Sequence, residues 1–395
     1  MSKYSVPEIL ENVFLVGVKD WNCRLFDALI PLPKGTTYNA YLLKGEAKTA
    51  LIDTVKPGFE GELEAKIRQL TSPAEIDYII MNHAEPDHAG GIPHVMALSG
   101  KAKLVTTSKG AEAARIYYGV PEGRIEVATD SSVIDLGGKT LRFIKAPWLH
   151  WPETMFTYLV EDKALFPCDF FGAHIAEGIY DRDVEDLMVH AKRYFGEIMM
   201  PFRAMAVKAL EKLEDFPLEI IAPSHGPIYR DTARILEAYR KWSKGETESK
   251  VIVVYVTMRG STWRMVSTLM EILLSEGLNV ELYDLASADL GEIAKDLVDS
   301  KALVLGAPTV LGGAHPLAVS AAYLVRTLRP PLRFGAILSS YGWGGGASRQ
   351  IQEILSPLKI EIVGTVEAHG PPTEDNLAEV VELSKALAKK VREVK

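Results

Sequence analysis

Cysteine is nearly absent from this chain: Cys23 and Cys168 are the only two among 395 residues. That scarcity argues against a disulfide framework and against a thiolate-rich iron–sulfur or structural zinc site, so any metal must rest on histidine and carboxylate. Also lacking is an apolar run long enough to span a bilayer or to form the core of a secretion signal. The expectation is therefore a cytoplasmic protein with no membrane partner. Positive charge is in the minority, with 44 Lys and Arg against 52 Asp and Glu and a formal net charge of −8. Nucleic-acid binding draws its affinity from clustered Lys and Arg, so this balance argues against it and leaves small molecules and proteins as partners. What is present, 47% hydrophobic and 24% charged residues, is the make-up of a globular protein. Its length exceeds what one core usually supports, which predicts two or three domains.

The patterning changes once along the chain. From Val13 to about Pro227 short strands and helices alternate irregularly, with hairpin-like pairs in "YNAYLLKGEAKTALIDT" and "TMFTYLVEDKALFPCD", which predicts a mixed sheet. "ARILEAYRKWSKGETESK" reads as a helix running into a polar linker. Beyond it, "VIVVYV", "NVELYDL", "ALVLGA", "RFGAILSS" and "IEIVGTV" each precede a helix-length segment, the pattern of a doubly wound parallel sheet. The expected division is residues 1–249 and 250–395, with no repeat relating the halves.

In a doubly wound sheet, ligands sit beyond the carboxyl ends of the strands, near the point where strand order reverses. "TMRGST" follows the first strand and opens a helix; its backbone N–H groups with Thr257, Ser261 and Thr262 suit a phosphate. Taken alone the stretch reads more readily as a capped helix, a balance that reverses with all three loops in register. "APTVLGG" and "SYGWGGG" follow the third and fourth strands, where glycines permit close approach and Tyr341 or Trp343 can cover a flat ring. A phosphate loop with two ring-clasping loops suits FMN. The expected contacts are Thr257, Met258, Arg259, Gly260, Ser261 and Thr262 in the first loop, Pro308, Thr309 and Val310 in the second, and Ser340, Tyr341, Gly342, Trp343, Gly344 and Gly345 in the third. The set resembles the flavodoxin family, which implies strand order 2-1-3-4-5 over residues 250–395. Arg259 and the glycine-rich "VLGGAH" depart from that family's usual residues.

The first half carries "MNHAEPDHAGG", with His83, Glu85, Asp87 and His88 within six positions after an apolar run. Pro86 biases Glu85 to extended backbone, so residues 83, 85 and 87 face one way, and a turn at Asp87 swings His88 inward. The competing reading is a solvated helix start capped by Asp87. His150 in "APWLHWPETM", Asp169 in "LFPCDFFG" and His225 in "IIAPSHGP" each follow a further apolar run. Singly, each suits a structural histidine or a turn aspartate. As an ordered series they resemble the metallo-β-lactamase fold, an αββα sandwich with two metals at one rim, and Asp53 in "ALIDT" fits as a carboxylate supporting the metal loop.

Zinc hydrolases of that fold usually read H-x-H-x-D-H, whereas Glu85 holds the second ligand position here; carboxylate for imidazole favours the harder iron. With the flavodoxin-like half, the chain closely resembles flavodiiron proteins, also called A-type flavoproteins, over nearly its entire length. The resemblance implies two non-haem irons: His83, Glu85 and His150 on the one nearer the flavin, Asp87, His88 and His225 on the other, and Asp169 between them. It further implies reduction of dioxygen to water or nitric oxide to nitrous oxide. Electrons would come from rubredoxin or a reduced deazaflavin coenzyme, in a head-to-tail homodimer or a homotetramer of two such dimers. Tyr194 in "RYFGEIMMPF" is the candidate for a catalytic hydroxyl beside the metals. Trp148, Trp151, Met155 and Tyr158 either wall a dry pocket or pack in the core. Two alternatives stand beside this reading: a zinc hydrolase whose flavodoxin-like domain is regulatory, and an electron-transfer flavoprotein whose metal domain is only structural.

Overall fold

The structure, a computed structural model, describes residues 4–393. The chain forms two compact units, residues 1–194 with 202–240, and residues 195–201 with 241–395.

In the first unit, consecutive apolar residues separate into two layers. Leu43, Ile52, Ile80 and Val105 point into a core shared with Leu141, Phe143, Met155, Leu159 and Phe166. Their neighbours Leu42, Leu51, Ile79 and Leu104 pack instead with Leu63, Val95 and Ala114 of three helices, Glu60–Ile67, Ile92–Leu98 and Ser108–Tyr118. Side chains alternate across a strand, so a sheet covered on both faces needs apolar residues at every position, and these strands read as unbroken hydrophobic runs. A seven-stranded sheet thus lies against a five-stranded one. On the outer face of the latter, Phe156 stacks with Phe170, which meets Tyr239 of the helix Thr232–Lys244. The result is the expected αββα sandwich. Both predicted hairpins form, as Tyr41–Lys44 with Thr49–Ile52 and Met155–Leu159 with Ala164–Phe166.

Strand direction gathers the loops. Thr140–Lys145 and Ala164–Phe166 both run antiparallel to the strand between them, and Ile220–Ile221 runs parallel to Ala164–Phe166. These three strands therefore point the same way, and the loops that follow them, bearing His150, Asp169 and His225, leave from one edge.

The second unit is a parallel sheet in the order Asn279–Asp284, Lys250–Tyr255, Ala302–Val310, Phe334–Tyr341 and Glu361–His369, which is 2-1-3-4-5. Helices Ser261–Ser275 and Glu374–Glu393 cover one face through Met265, Leu269, Val380 and Leu387. No helix among the described residues is long and apolar enough to cross a membrane.

One buried side chain joins the two sheets of the first unit. Asn82 donates through Nδ2 to Asp53 (3.1 Å) and to the Phe166 carbonyl (3.3 Å), and its Oδ1 accepts from Thr157 (2.7 Å). Asn82→Ala strands these buried partners and should cost about 2–4 kcal/mol of stability in urea unfolding; a loss below roughly 0.5 kcal/mol would contradict this role.

Candidate metal centre and flavin cleft

His83, Glu85, Asp87 and His88 sit between the strand Ile76–Ile80 and a single helical turn, Pro86–Ala89. Glu85 is extended, with φ −65° and ψ 141°, as the following proline requires. The loop is held from beneath by Asp53, whose Oδ1 accepts from the Asn82 backbone N–H at 2.9 Å. Burial pushes the Asp53 carboxyl up to about 6, against the opposing pull of His88.

All seven histidines and carboxylates singled out in the sequence converge, in two groups. His83, Glu85, His150 and Asp169 offer ligand atoms within 4.8 Å of one another, and so do Asp87, His88 and His225. In the first group, Glu85 Oε2 lies 3.1 Å from His83 Nε2 and 3.0 Å from His150 Nε2. In the second, Asp87 Oδ2 lies 3.2 Å from His225 Nε2, and Oδ1 lies 3.4 Å from His88 Nε2. Asp169 belongs to both. Its Oδ2 is 3.5 Å from His83 and from His150, whereas its Oδ1 is 3.0 Å from His88 and 3.4 Å from His225.

These contacts are close but largely unsatisfied. Both oxygens of Asp87, Oδ2 of Asp169 and Nε2 of His88 are buried without a hydrogen-bond partner. Leaving one such group unpaired costs about 1–3 kcal/mol, so a set converging on common points suits cations that would satisfy several at once. The donor chemistry is mixed imidazole and carboxylate. Cys168 also lies within reach of His88 and Asp169, but burial and the neighbouring carboxylates raise its thiol well above the usual range, and Ser224 donates to its sulfur at 3.5 Å.

The far nitrogens of His83 and His225 are anchored, whereas that of His88 is buried without a hydrogen-bond partner. His83 Nδ1 donates to Glu153 Oε1 at 2.7 Å, an oxygen that also accepts from the Ala84 N–H at 3.0 Å. His225 Nδ1 donates to the Thr37 carbonyl at 2.6 Å. Each bond fixes which nitrogen faces the cluster. Tyr194 donates to Asp169 Oδ1 at 3.0 Å. A Cβ on residue 172 would come within 2.9 Å of the Tyr194 ring, so Gly172 is what admits that ring. Phe26 and His174, which the sequence did not single out, close this side: their ring centroids are 4.6 Å apart, and His174 lies 4.8 Å from both Tyr194 and His225. Trp148 and Trp151 line a cleft of about 510 Å³ that reaches His150. Met155 and Tyr158 are core residues.

In the second unit, the three predicted loops surround a cavity of about 330 Å³. Thr257, Met258, Arg259 and Ser261 line it from the first loop, Pro308 and Thr309 from the second, and Ser340, Tyr341 and Gly342 from the third. Gly370 and Pro371, absent from the sequence reading, complete the wall. Gly260, in the left-handed region at φ +84°, precedes the helix Ser261–Ser275, which has no side-chain cap. Its first N–H groups are thus left for an anion. Thr262 lies beneath this surface, its hydroxyl 3.1 Å from that of Ser340. Val310, Gly344 and Gly345 stand outside the lining, and Trp343 is 83% exposed. The second and third loops touch: a Cβ on residue 346 would lie 2.2 Å from the Gly312 carbonyl, so Gly346 is required there. An uncapped helix start beside hydroxyls and a flat aromatic wall fits the phosphate and ring of FMN.

Glu153→Ala should weaken metal binding by about 10–100-fold, read by competition with a chelator, because His83 loses its orienting acceptor. Unchanged affinity would show that Glu153 has no such role.

Comparison with known proteins agrees with this geometry. The model of the "ODP family beta lactamase" matches residues 36–226. The nitric oxide reductase of Moorella thermoacetica is 36% identical, over 97% of this chain and 98% of its own. Among solved structures, the rubredoxin oxygen:oxidoreductase of Desulfovibrio gigas superposes with a TM-score of 0.95 at 28% identity, covering 98% of this chain and 99% of that one. The flavodiiron protein of Giardia intestinalis does so with a TM-score of 0.91 at 30% identity, covering 99% and 98%. From relatives matched along almost their whole length, the chain belongs to the flavodiiron protein family.

Proposed function

We propose that this protein reduces dioxygen to water or nitric oxide to nitrous oxide, passing electrons from a separate donor through FMN to a pair of non-haem irons. The observation that carries the reading is Asp169, whose two oxygens face different ligand groups, so that one carboxylate would serve two cations. His83, Glu85 and His150 would hold one iron with Asp169, and Asp87, His88 and His225 the other; the cleft at residues 257–262, 308–310 and 340–345 would hold FMN. When bound, two ferrous ions and a reduced flavin supply four electrons, enough with four protons to take dioxygen to two waters, while two nitric oxide molecules need only two electrons and two protons.

The chain's own groups fix, shield and protonate. The bonds from Glu153 and the Thr37 carbonyl hold His83 and His225 in one orientation, so the ligand set needs little rearrangement on binding. Phe26, His174 and Tyr194 form an aromatic wall beside His225 that keeps bulk water from that side. Tyr194 keeps its proton, because burial and the Asp169 carboxylate push its hydroxyl well above the ordinary range. That O–H donates to Asp169 Oδ1 at 3.0 Å, directly beside the shared carboxylate, and we assign it the catalytic hydroxyl. The proposed electron donor is rubredoxin or a reduced deazaflavin coenzyme. The proposed assembly is a head-to-tail homodimer, or a homotetramer of two such dimers, in which one chain's flavin serves the other chain's irons.

Two experiments test this. In rapid mixing of the reduced protein with dioxygen or nitric oxide, Asp169→Ala should lose the irons and the fast consumption of either gas while keeping FMN. Retained turnover in that variant would remove Asp169 from the mechanism. Specific activity should also fall on dilution as the protein dissociates in analytical ultracentrifugation; a monomer with full turnover would overturn the head-to-tail arrangement.

A further inference from the structure

We infer that His369 is a positioning residue for the flavin, fixing the third loop of the cleft by stacking on Tyr341 and gripping the Gly342 peptide. The inference rests on the reading that FMN occupies this cleft.

His369 ends the last strand of the parallel sheet, Glu361–His369, directly beside Tyr341, which ends the neighbouring strand Phe334–Tyr341. Their rings lie 5.0 Å apart with planes inclined by 5°. The same imidazole reaches past Tyr341 to the next peptide, with Nε2 2.7 Å from the Gly342 carbonyl. A carbonyl only accepts, so Nε2 carries the hydrogen, and the tautomer is set by the contact. The chain then turns at Gly370, with φ +78°, and the Gly370 N–H donates to the Tyr341 carbonyl at 2.8 Å. This turn carries Gly370 and Pro371 to the cavity wall.

Two residues earlier, and so on the same face of the strand, Glu367 Oε1 accepts from the Ser348 hydroxyl at 2.6 Å. The last strand thus holds both ends of residues 341–348. Between these anchors residues 342–344 are loosely packed: a Cβ on residue 342 or 344 would meet nothing within 4 Å, and Trp343 projects into solvent. The Tyr341 ring, which lines the cavity, is therefore tied to the sheet through His369. An ordinary cross-strand aromatic pair would account for the stack alone. It does not account for the added bond to the adjoining peptide, which locks ring and backbone together where a flat ligand would lie.

The two contacts are separable. His369→Phe keeps a stacking ring and loses the donor; His369→Gln keeps a donor and loses the ring; His369→Ala loses both. FMN release from the full-length holoprotein, followed as recovery of free-flavin fluorescence on dilution, gives the affinity. His369→Ala should bind FMN about 5–100-fold more weakly, with Phe and Gln each in between. The visible circular dichroism of the remaining bound flavin should change most in Ala and Gln and least in Phe. Iron content should be unchanged in all three, since iron is held by other residues. His369→Ala matching the wild type in both affinity and dichroism would overturn the role of His369 alone. A wild-type protein that binds no FMN would remove the cleft reading and the inference with it.

Discussion

The first unit is organised around a single shared carboxylate. Asp169 is buried, with each oxygen directed to a different set of ligands. A negative charge so placed is costly unless compensated, and the nearby histidines compensate it in part. His88, although burial disfavours its charged form, is raised to about 10 by Asp87 and Asp169, and His150 is likewise raised to about 10 by Asp169 and Glu85. The protein therefore carries a standing demand for positive charge at two adjacent points. Two metal cations meet that demand directly, which is why the proposed chemistry is two-metal chemistry.

The fold supplies this convergence through strand direction. Ligands separated by scores of residues in sequence meet because three strands of one sheet point the same way and end at one rim, facing the loop after Ile76–Ile80 in the other sheet. Asn82, Asp53 and Ser224 join the loops: Asp53 accepts from Asn82 beside the His83 loop and from Ser224 beside His225. Displacing one sheet against the other would thus pull the two ligand groups apart. The second unit has a parallel logic, in which adjacent strand ends present three loops, and hydroxyls and glycines let those loops approach one another.

Much of this was legible in the chain. Four ligand types in six positions form a dense local signal, and Glu85 in place of a second imidazole separates this protein from hydrolases of the same fold. Asp169 and His225 were legible because each directly follows an apolar strand. The strand order of the second unit came from resemblance, and the structure has it. The supporting residues were not legible, for a physical reason: their partners are remote or peptide groups. Glu153 acts on His83, 70 positions away, and Thr37 acts through its carbonyl, which any residue offers. Phe26 and His174 meet only through tertiary packing. Exposure also escaped the sequence. The 83% exposure of Trp343 and the pairing of the Thr262 hydroxyl with Ser340 are both set by tertiary structure.

The claim on which everything else depends is that the shared carboxylate holds two irons in a chain that also binds flavin. Anaerobic purification followed by iron, zinc and flavin analysis tests it directly. The account predicts two irons and one FMN per chain. Zinc in place of iron, with no flavin, would contradict it and return the protein to the hydrolases that share its fold.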